Sequence, residues 1–268
     1  MTSNTSTDRP SVRQLGDHAS DAIKGHFDHF FRDYSGGTPS PDSQGCMMLV
    51  TGQPHPLSNL CIAAGSVSGD ELNASISPLI DDRFPSAVIL LDETNETQAA
   101  RIESRGFVAV ERMQVMSVTP EMLKPTTLPG GYELQEMTPD DDERWSNAMG
   151  EGYGLPLDVA AIFGPKRASE RGERNVTRHY AVMHGGEIAA TSLVYFRDGL
   201  AGIYGVATIQ AHRKRGLGAH ATAEPLRRAW ADGYQTGLLQ ASEMGEPVYS
   251  RIGFQSHGHM RLFARIPG

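Results

Sequence analysis

A chain of 268 residues with 39% hydrophobic and 21% charged side chains has ordinary globular chemistry, which argues against wholesale disorder and leaves room for two domains of common size. With 24 basic against 32 acidic residues, the net charge of -8 argues against non-specific binding to nucleic acid or to an anionic membrane. No apolar run approaches the ~20 residues needed to span a bilayer. The opening MTSNTSTDRPSVRQLG lacks the apolar core of a secretory signal, so a soluble, cytoplasmic protein is expected.

Residues 1–11 are Ser/Thr-rich and expected to be disordered. From 12 to 34, Leu15, Ala19, Ile23, Phe27, Phe30 and Phe31 recur at spacings of three and four, which predicts an amphipathic helix. SGGTPSPDSQG (35–45) reads as a loop, followed by a strand pair at 46–51 and 60–64. A helix is predicted over 69–80, a buried strand at 87–91, a polar helix over 95–105 and an alternating strand over 108–118. The two cysteines, Cys46 and Cys61, fall in the strand pair and read as buried free thiols, too few for a disulfide framework.

Around KPTTLPGG the composition shifts to turn residues, which places a domain boundary there: an α/β N-terminal domain over 1–125 and a second domain over 130–268. The second opens with a strand at 132–137 and then Thr138, Pro139 and Asp141, a capping box that starts a helix to about Met149. GEGYGLPLDVAAIFGPK is punctuated by glycine and proline, with a short helix at 157–163. Three strands follow in hairpin order, at 179–183, 188–196 and 200–209. A helix over 216–232 stops at Gly233; next come a strand at 238–242, a short helix at 246–251, and a pair of short strands or one bent strand over 254–266. This order, antiparallel at the start and mixed later, points to α+β.

A short internal echo links the halves. SRGF (104–107) and SRIGF (250–254) each follow an apolar strand and a helix, and each leads a strand that ends at a proline, Pro120 or Pro267.

The segment with the clearest chemistry is IYGVATIQAHRKRGLGAHATAEPLRRAW. A strand runs through His212, Arg213, Lys214 and Arg215 into Gly216, Leu217 and Gly218 and then a helix. Glycines let the backbone approach a ligand, and the first turn of a helix aims free N–H groups and a positive dipole end at one spot. That is an anion site suited to a diphosphate. It is neither a P-loop nor a dinucleotide fingerprint, because GxxxxGK[ST] is missing and the preceding strand closes a hairpin series.

Arg213-x-x-Gly216-x-Gly218 after a strand, together with LLQASEMGEPVYSRIGF downstream, resembles the GNAT superfamily of N-acetyltransferases over 132–266. The resemblance implies a mixed, mostly antiparallel sheet flanked by helices, with the N-terminal half a degenerate GNAT-like copy. It implies acetyl-CoA as cosubstrate and a small-molecule or peptide amine as acceptor. Val206, Ala207 and Thr208 would pair with pantetheine. Arg213, Lys214, Arg215, Gly216, Leu217, Gly218 and Ala219 would hold the pyrophosphate, and Tyr249 would protonate the departing thiolate.

Departures are visible: Ser242, counted with the cofactor-binding residues, stands where many relatives carry asparagine, Gly245 where alanine is common, and Pro225 lies inside the cofactor helix. Ile102 takes the place the echo gives a tyrosine, and the N-terminal half lacks the Arg-x-x-Gly-x-Gly turn, so no second active site is expected there. Attack by an amine needs a base, and Glu151 in GEGYG is the first candidate, with Tyr153 and Asp158 behind it. A CoA-binding protein without turnover is the alternative. His18, His26, His29, His257 and His259 form no recognised metal-ligand set and read as surface or packing residues.

Overall fold

The computed structural model describes residues 18–34, 38–40, 43–80, 84–170 and 176–267. The expected disorder of 1–11, the first residues of the expected opening helix and parts of the 35–45 loop lie outside the described residues.

The helix α1 (Ala19–Tyr34) forms where the apolar spacing demands it, and Ile23, Phe27, Phe30 and Phe31 are all buried. Strands β1 (Thr38–Ser40), β2 (Ser43–Val50) and β3 (Asn59–Ala63) follow, so the segment read as loop carries a short edge strand and the start of β2. A capping box between Ser68 and Glu71 opens α2 (Gly69–Ile76); the expected extension to 80 tightens into a turn at Ser77–Leu79, where Pro78 supplies no N–H. Then come β4 (Ser86–Leu90), α3 (Glu96–Ser104) and β5 (Val108–Val118).

After the 119–131 connection, β6 (Tyr132–Met137) leads through the Thr138–Asp141 capping box into α4 (Asp142–Tyr153). This helix runs past Met149 through GEGY and ends at Gly154, whose φ of 72 only glycine adopts without strain. Short helices α5 (Leu157–Ala160) and α6 (Pro165–Glu170) precede the hairpin strands β7 (Thr177–His184), β8 (Glu187–Arg197) and β9 (Leu200–Thr208). The chain closes with α7 (Leu217–Ala231), β10 (Gly237–Ala241), α8 (Glu246–Arg251) and β11 (Gln255–Arg265), the last being one strand interrupted by register shifts. Helix α7 continues through Pro225.

All of these strands belong to one 11-stranded, mostly antiparallel sheet in the order β1-β2-β3-β4-β11-β5-β10-β9-β8-β7-β6. The C-terminal strand β11 therefore sits between β4 and β5, and β5 sits between β11 and β10. The halves exchange their last strands, and the exchange is symmetric. Arg265↔Ser86 to Arg261↔Leu90 on one side is matched by Val118↔Gly237 to Gln114↔Ala241 on the other. Within the β5–β11 ladder Gln255↔Ser117 answers Ala264↔Val108, and Met260 faces Met113 at the middle. The SRGF and SRIGF segments are the entries to these two strands, which gives the internal echo its structural meaning.

Helices cover both faces. Helices α1 and α4 close one face over a core shared by the two halves, containing Phe30, Leu60, Ile89, Val115, Trp145, Leu193, Tyr204 and Met260. On the other face α7 buries Ala223, Leu226 and Ala229 over Ile203 and Leu239, and α2 and α3 bury Leu72, Ile76 and Ile102 over Val88 and Phe263. Cys46 and Cys61 carry thiols that are fully buried in that last cluster, and their contact with each other and desolvation push the Cys61 thiol up. Among the described residues, no helix is long and apolar enough to cross a membrane.

Candidate active site

The site grows from two defects in the sheet. The first is a bulge in β9. Thr191 pairs with Ala207 and Leu193 with Tyr204, so Gly205 and Val206 together oppose Ser192. Gly205 takes the left-handed conformation at φ 59 that such a bulge needs, and the Trp145 ring lies 3.3 Å from where its Cβ would be. The bulge takes Val206 out of the regular ladder. The second defect is a splay: β9 and β10 pair only at Ala201↔Gly237 and Gly202↔Leu238 and then diverge. Between them opens a groove.

Helix α4 seals one side of the groove by unusually close approach. A Cβ on Gly152 would stand 2.6 Å from the Ala207 Cβ, so only glycine lets the helix press on the bulged strand. Tyr153 is 52% exposed, yet its hydroxyl sits against the backbone of Val206, and desolvation pushes its pKa up. Tyr153 thus covers the polar group that the bulge frees.

Beyond Thr208 the chain turns into the anion site. Arg213 is extended, Lys214 sits at φ 62 and Gly216 at φ 79, capping α7. Two left-handed residues so close together bend the backbone around the helix N-terminus, the arrangement in which consecutive N–H groups converge. No atom lies within 4 Å of a Cβ placed on Gly216, and one on Gly218 would meet Thr208 and Val206 only at 3.7 Å. A cleft of about 560 Å³ lies here, lined by Thr208, Lys214, Gly216, Gly218, Ala219 and Arg251 among others. The turn fits a diphosphate: open space, convergent donors and cations.

Arg213 lines the cleft too, and its side chain also braces the strand behind it. Its guanidinium donates to Thr208 O at 3.1 Å and to Gly152 O at 2.9 Å, tying the end of β9 to the end of α4. Lys214 lines the cleft; Arg215 is exposed beside it. Leu217 is buried as the first anchor of α7.

Tyr249 projects from α8 into the space between groove and cleft. Its phenol sits beside the Thr222 hydroxyl, and Thr222 Oγ1 donates to Gly218 O at 2.9 Å, so the phenol abuts the first turn of α7. Desolvation pushes the Tyr249 pKa up to about 12, which keeps it protonated at neutral pH. Ser242 serves the same helix locally: its Oγ accepts from Gly245 N–H at 3.1 Å and its carbonyl from the N–H groups of Gly245 and Glu246.

The side chain of Glu151 is exposed and does not line the groove, which Met149 and Tyr153 on either side of it do. Asp158 is also outside it, accepting from Val159 N–H at 3.0 Å. What lines the inner groove was not read from the sequence: Phe27, Phe30 and Phe31 from α1, with Tyr204 and Gln240 on the diverging strands. Tyr204 Oη lies 2.9 Å from His26 Nδ1 and its ring stacks on Phe30 at 3.8 Å. Two signals could have exposed this region, a lone glycine inside strand IYGVAT and a glutamine in the apolar strand GLLQA. Among the described residues no group of three or more His, Cys, Asp or Glu side chains is placed to hold a metal ion.

No protein-family model matches the sequence, and no curated protein matches it. Solved structures do. A GCN5-related N-acetyltransferase from Kribbella flavida superposes with a TM-score of 0.67 at 19% identity, covering 93% of this chain and 96% of that one. One from Sphaerobacter thermophilus gives 0.62 at 17% identity, covering 96% and 94%. A tandem GNAT protein from the clavulanic acid biosynthesis pathway gives 0.54 at 12% identity, covering 83% and 78%. The fold is that of the GCN5-related N-acetyltransferases, matched over 93% to 96% of the chain.

Proposed function

We propose that this protein is an N-acetyltransferase that moves the acetyl group of acetyl-CoA to a primary amine by direct attack. The observation that carries this reading is the continuity of three features: the splayed β9–β10 groove, the freed backbone at Val206 and the anion turn at 213–219. They lie in sequence along one strand and the helix it feeds. A pantetheine arm laid along Val206, Ala207 and Thr208 would bring a thioester to the groove and a pyrophosphate to the turn. Acetyl-CoA supplies the activated acetyl group; the chain supplies placement and protons.

Backbone N–H groups of 215–219 and Lys214 would hold the pyrophosphate, with Arg213 acting through the β9–α4 brace. The Val206 backbone, beside the Tyr153 hydroxyl, would polarise the carbonyl. Tyr249, protonated and beside Thr222, is the group to give its proton to sulfur. No exposed carboxylate needs a part in this scheme, and Glu151 lies outside the groove.

The test is turnover. Acetyl-CoA consumption followed by thiol release, with a panel of primary amines, is expected to show transfer that Tyr249→Phe lowers by about 10²–10⁴-fold. Undiminished transfer in that variant would remove Tyr249 from the mechanism. Tight CoA binding with no transfer to any amine would favour a CoA-binding protein without turnover.

A further inference from the structure

The inner groove has a composition that restricts its occupant. Its lining is Phe27, Phe30, Phe31 and Phe163, with aliphatic and methionine side chains, and its only polar side chains among the described residues are Tyr153, Tyr204, Tyr249 and Gln240. Not one described lining residue carries a formal charge. The volume is about 200 Å³, and an apolar cavity of about 150 Å³ already takes a benzene ring. Gln240 lies there, its amide beside the Tyr204 hydroxyl.

An ammonium entering this space would give up its hydration with no carboxylate to replace it, a heavy desolvation penalty. A neutral NH₂ group meets no such penalty. It can exchange hydrogen bonds with the Gln240 amide and the tyrosine hydroxyls, while a ring beside it stacks among phenylalanines. Resting on the acetyltransferase reading above, we infer that the acceptor is an aromatic amine, a one- or two-ring arylamine whose nitrogen is uncharged at neutral pH.

The chemistry then closes without a carboxylate base. The arylamine lone pair attacks the acetyl carbon, the carbon–nitrogen bond forms and the carbon–sulfur bond breaks. Tyr249 gives its proton to the sulfur, and the proton released by nitrogen returns to Tyr249 through water. The N-terminal half takes part by supplying α1, whose phenylalanines form the wall of the pocket.

The experiment uses 2-naphthylamine, whose own fluorescence reports entry into an apolar site without acetyl-CoA. Saturable fluorescence enhancement is expected, weakened at least tenfold in Leu57→Glu, a substitution at a half-buried lining position that places a carboxylate in the groove. Phe30→Ala should act likewise, but its ring is core and the variant is informative only if it folds; Leu57→Glu does not share that weakness. Acetyl transfer to 2-naphthylamine should exceed transfer to spermidine by at least a hundredfold in kcat/KM. Transfer to spermidine with no naphthylamine fluorescence change would overturn the arylamine assignment and leave the acetyltransferase intact. Naphthylamine binding without any acetyl-CoA uptake would overturn the transferase reading and leave the aromatic-amine site standing.

Discussion

The phenol of Tyr249 sits beside the Thr222 hydroxyl, which itself donates to Gly218 O at 2.9 Å. Three residues far apart in function thus form one chain: the proposed acid, a helix residue and a glycine of the anion turn. Thr222→Val should leave the helix in place but free the phenol. We expect kcat to fall about tenfold with little change in acetyl-CoA affinity, measured as a kcat-against-KM split. Loss of CoA binding instead would mean that Thr222 acts through the turn alone.

Because desolvation raises the Tyr249 pKa to about 12, the group stays protonated in the folded protein where an unfolded tyrosine ionises near pH ~10. Its contribution to stability is complete below that value and is lost as pH rises towards about 12. In the rate profile Tyr249 should produce no falling limb below pH ~10. A falling limb centred well below that, abolished in Tyr249→Phe, would contradict the assignment.

Two buried histidines make the opposite prediction in acid. Desolvation, followed by the nearby His29 and Arg197, lowers His26 to about 3, and desolvation lowers His179 to about 4 despite its hydrogen bond to Phe163 O at 2.9 Å. Both are neutral when folded and gain protons on unfolding below pH ~6.5. Stability is therefore full above that pH and falls as pH drops towards 4, by several kcal/mol in all. Urea denaturation at pH 7, 6, 5 and 4 checks the slope, and His179→Gln should flatten it.

Gly152 and Gly216 are expected to fail differently. A Cβ on Gly152 would lie 2.6 Å from Ala207 Cβ, so Gly152→Ala forces α4 off the bulge and should cost about 1–3 kcal/mol. Gly216 has open space but a φ of 79, so Gly216→Ala carries a backbone penalty of about 1 kcal/mol and distorts the turn. Thermal unfolding of both, with CoA titrations, should show the first variant losing more stability and the second losing more CoA affinity.

Much of this was legible in the sequence. The strand-turn-helix at 203–231, the capping box at Thr138 and the short helix carrying Tyr249 all rest on local signals, because cap chemistry and glycine conformations act within a few residues. The exchange of β5 and β11 was not legible. Alternation tells which face a strand buries and nothing about its neighbour, so Met113 opposite Met260 could not be read from either segment. The same limit hid the pocket wall: the spacing of Phe27, Phe30 and Phe31 shows that one face of α1 is covered, not that it looks onto Tyr204. Arg213 carries the motif, yet its side chain braces Thr208 and Gly152, a non-local contact that spacing does not encode.

The measurement that bears most directly on the account is calorimetric titration of acetyl-CoA into the protein and into Gly218→Trp. Gly218 faces Thr208 and Val206 at 3.7 Å along the lane between turn and groove, so an indole there fills the path that pantetheine would take. The account predicts saturable one-to-one binding to the native chain and its loss in a Gly218→Trp protein that remains folded. Absence of binding to the native chain, or equal binding to both, would contradict the placement of acetyl-CoA along Val206–Thr208 and the 213–219 turn.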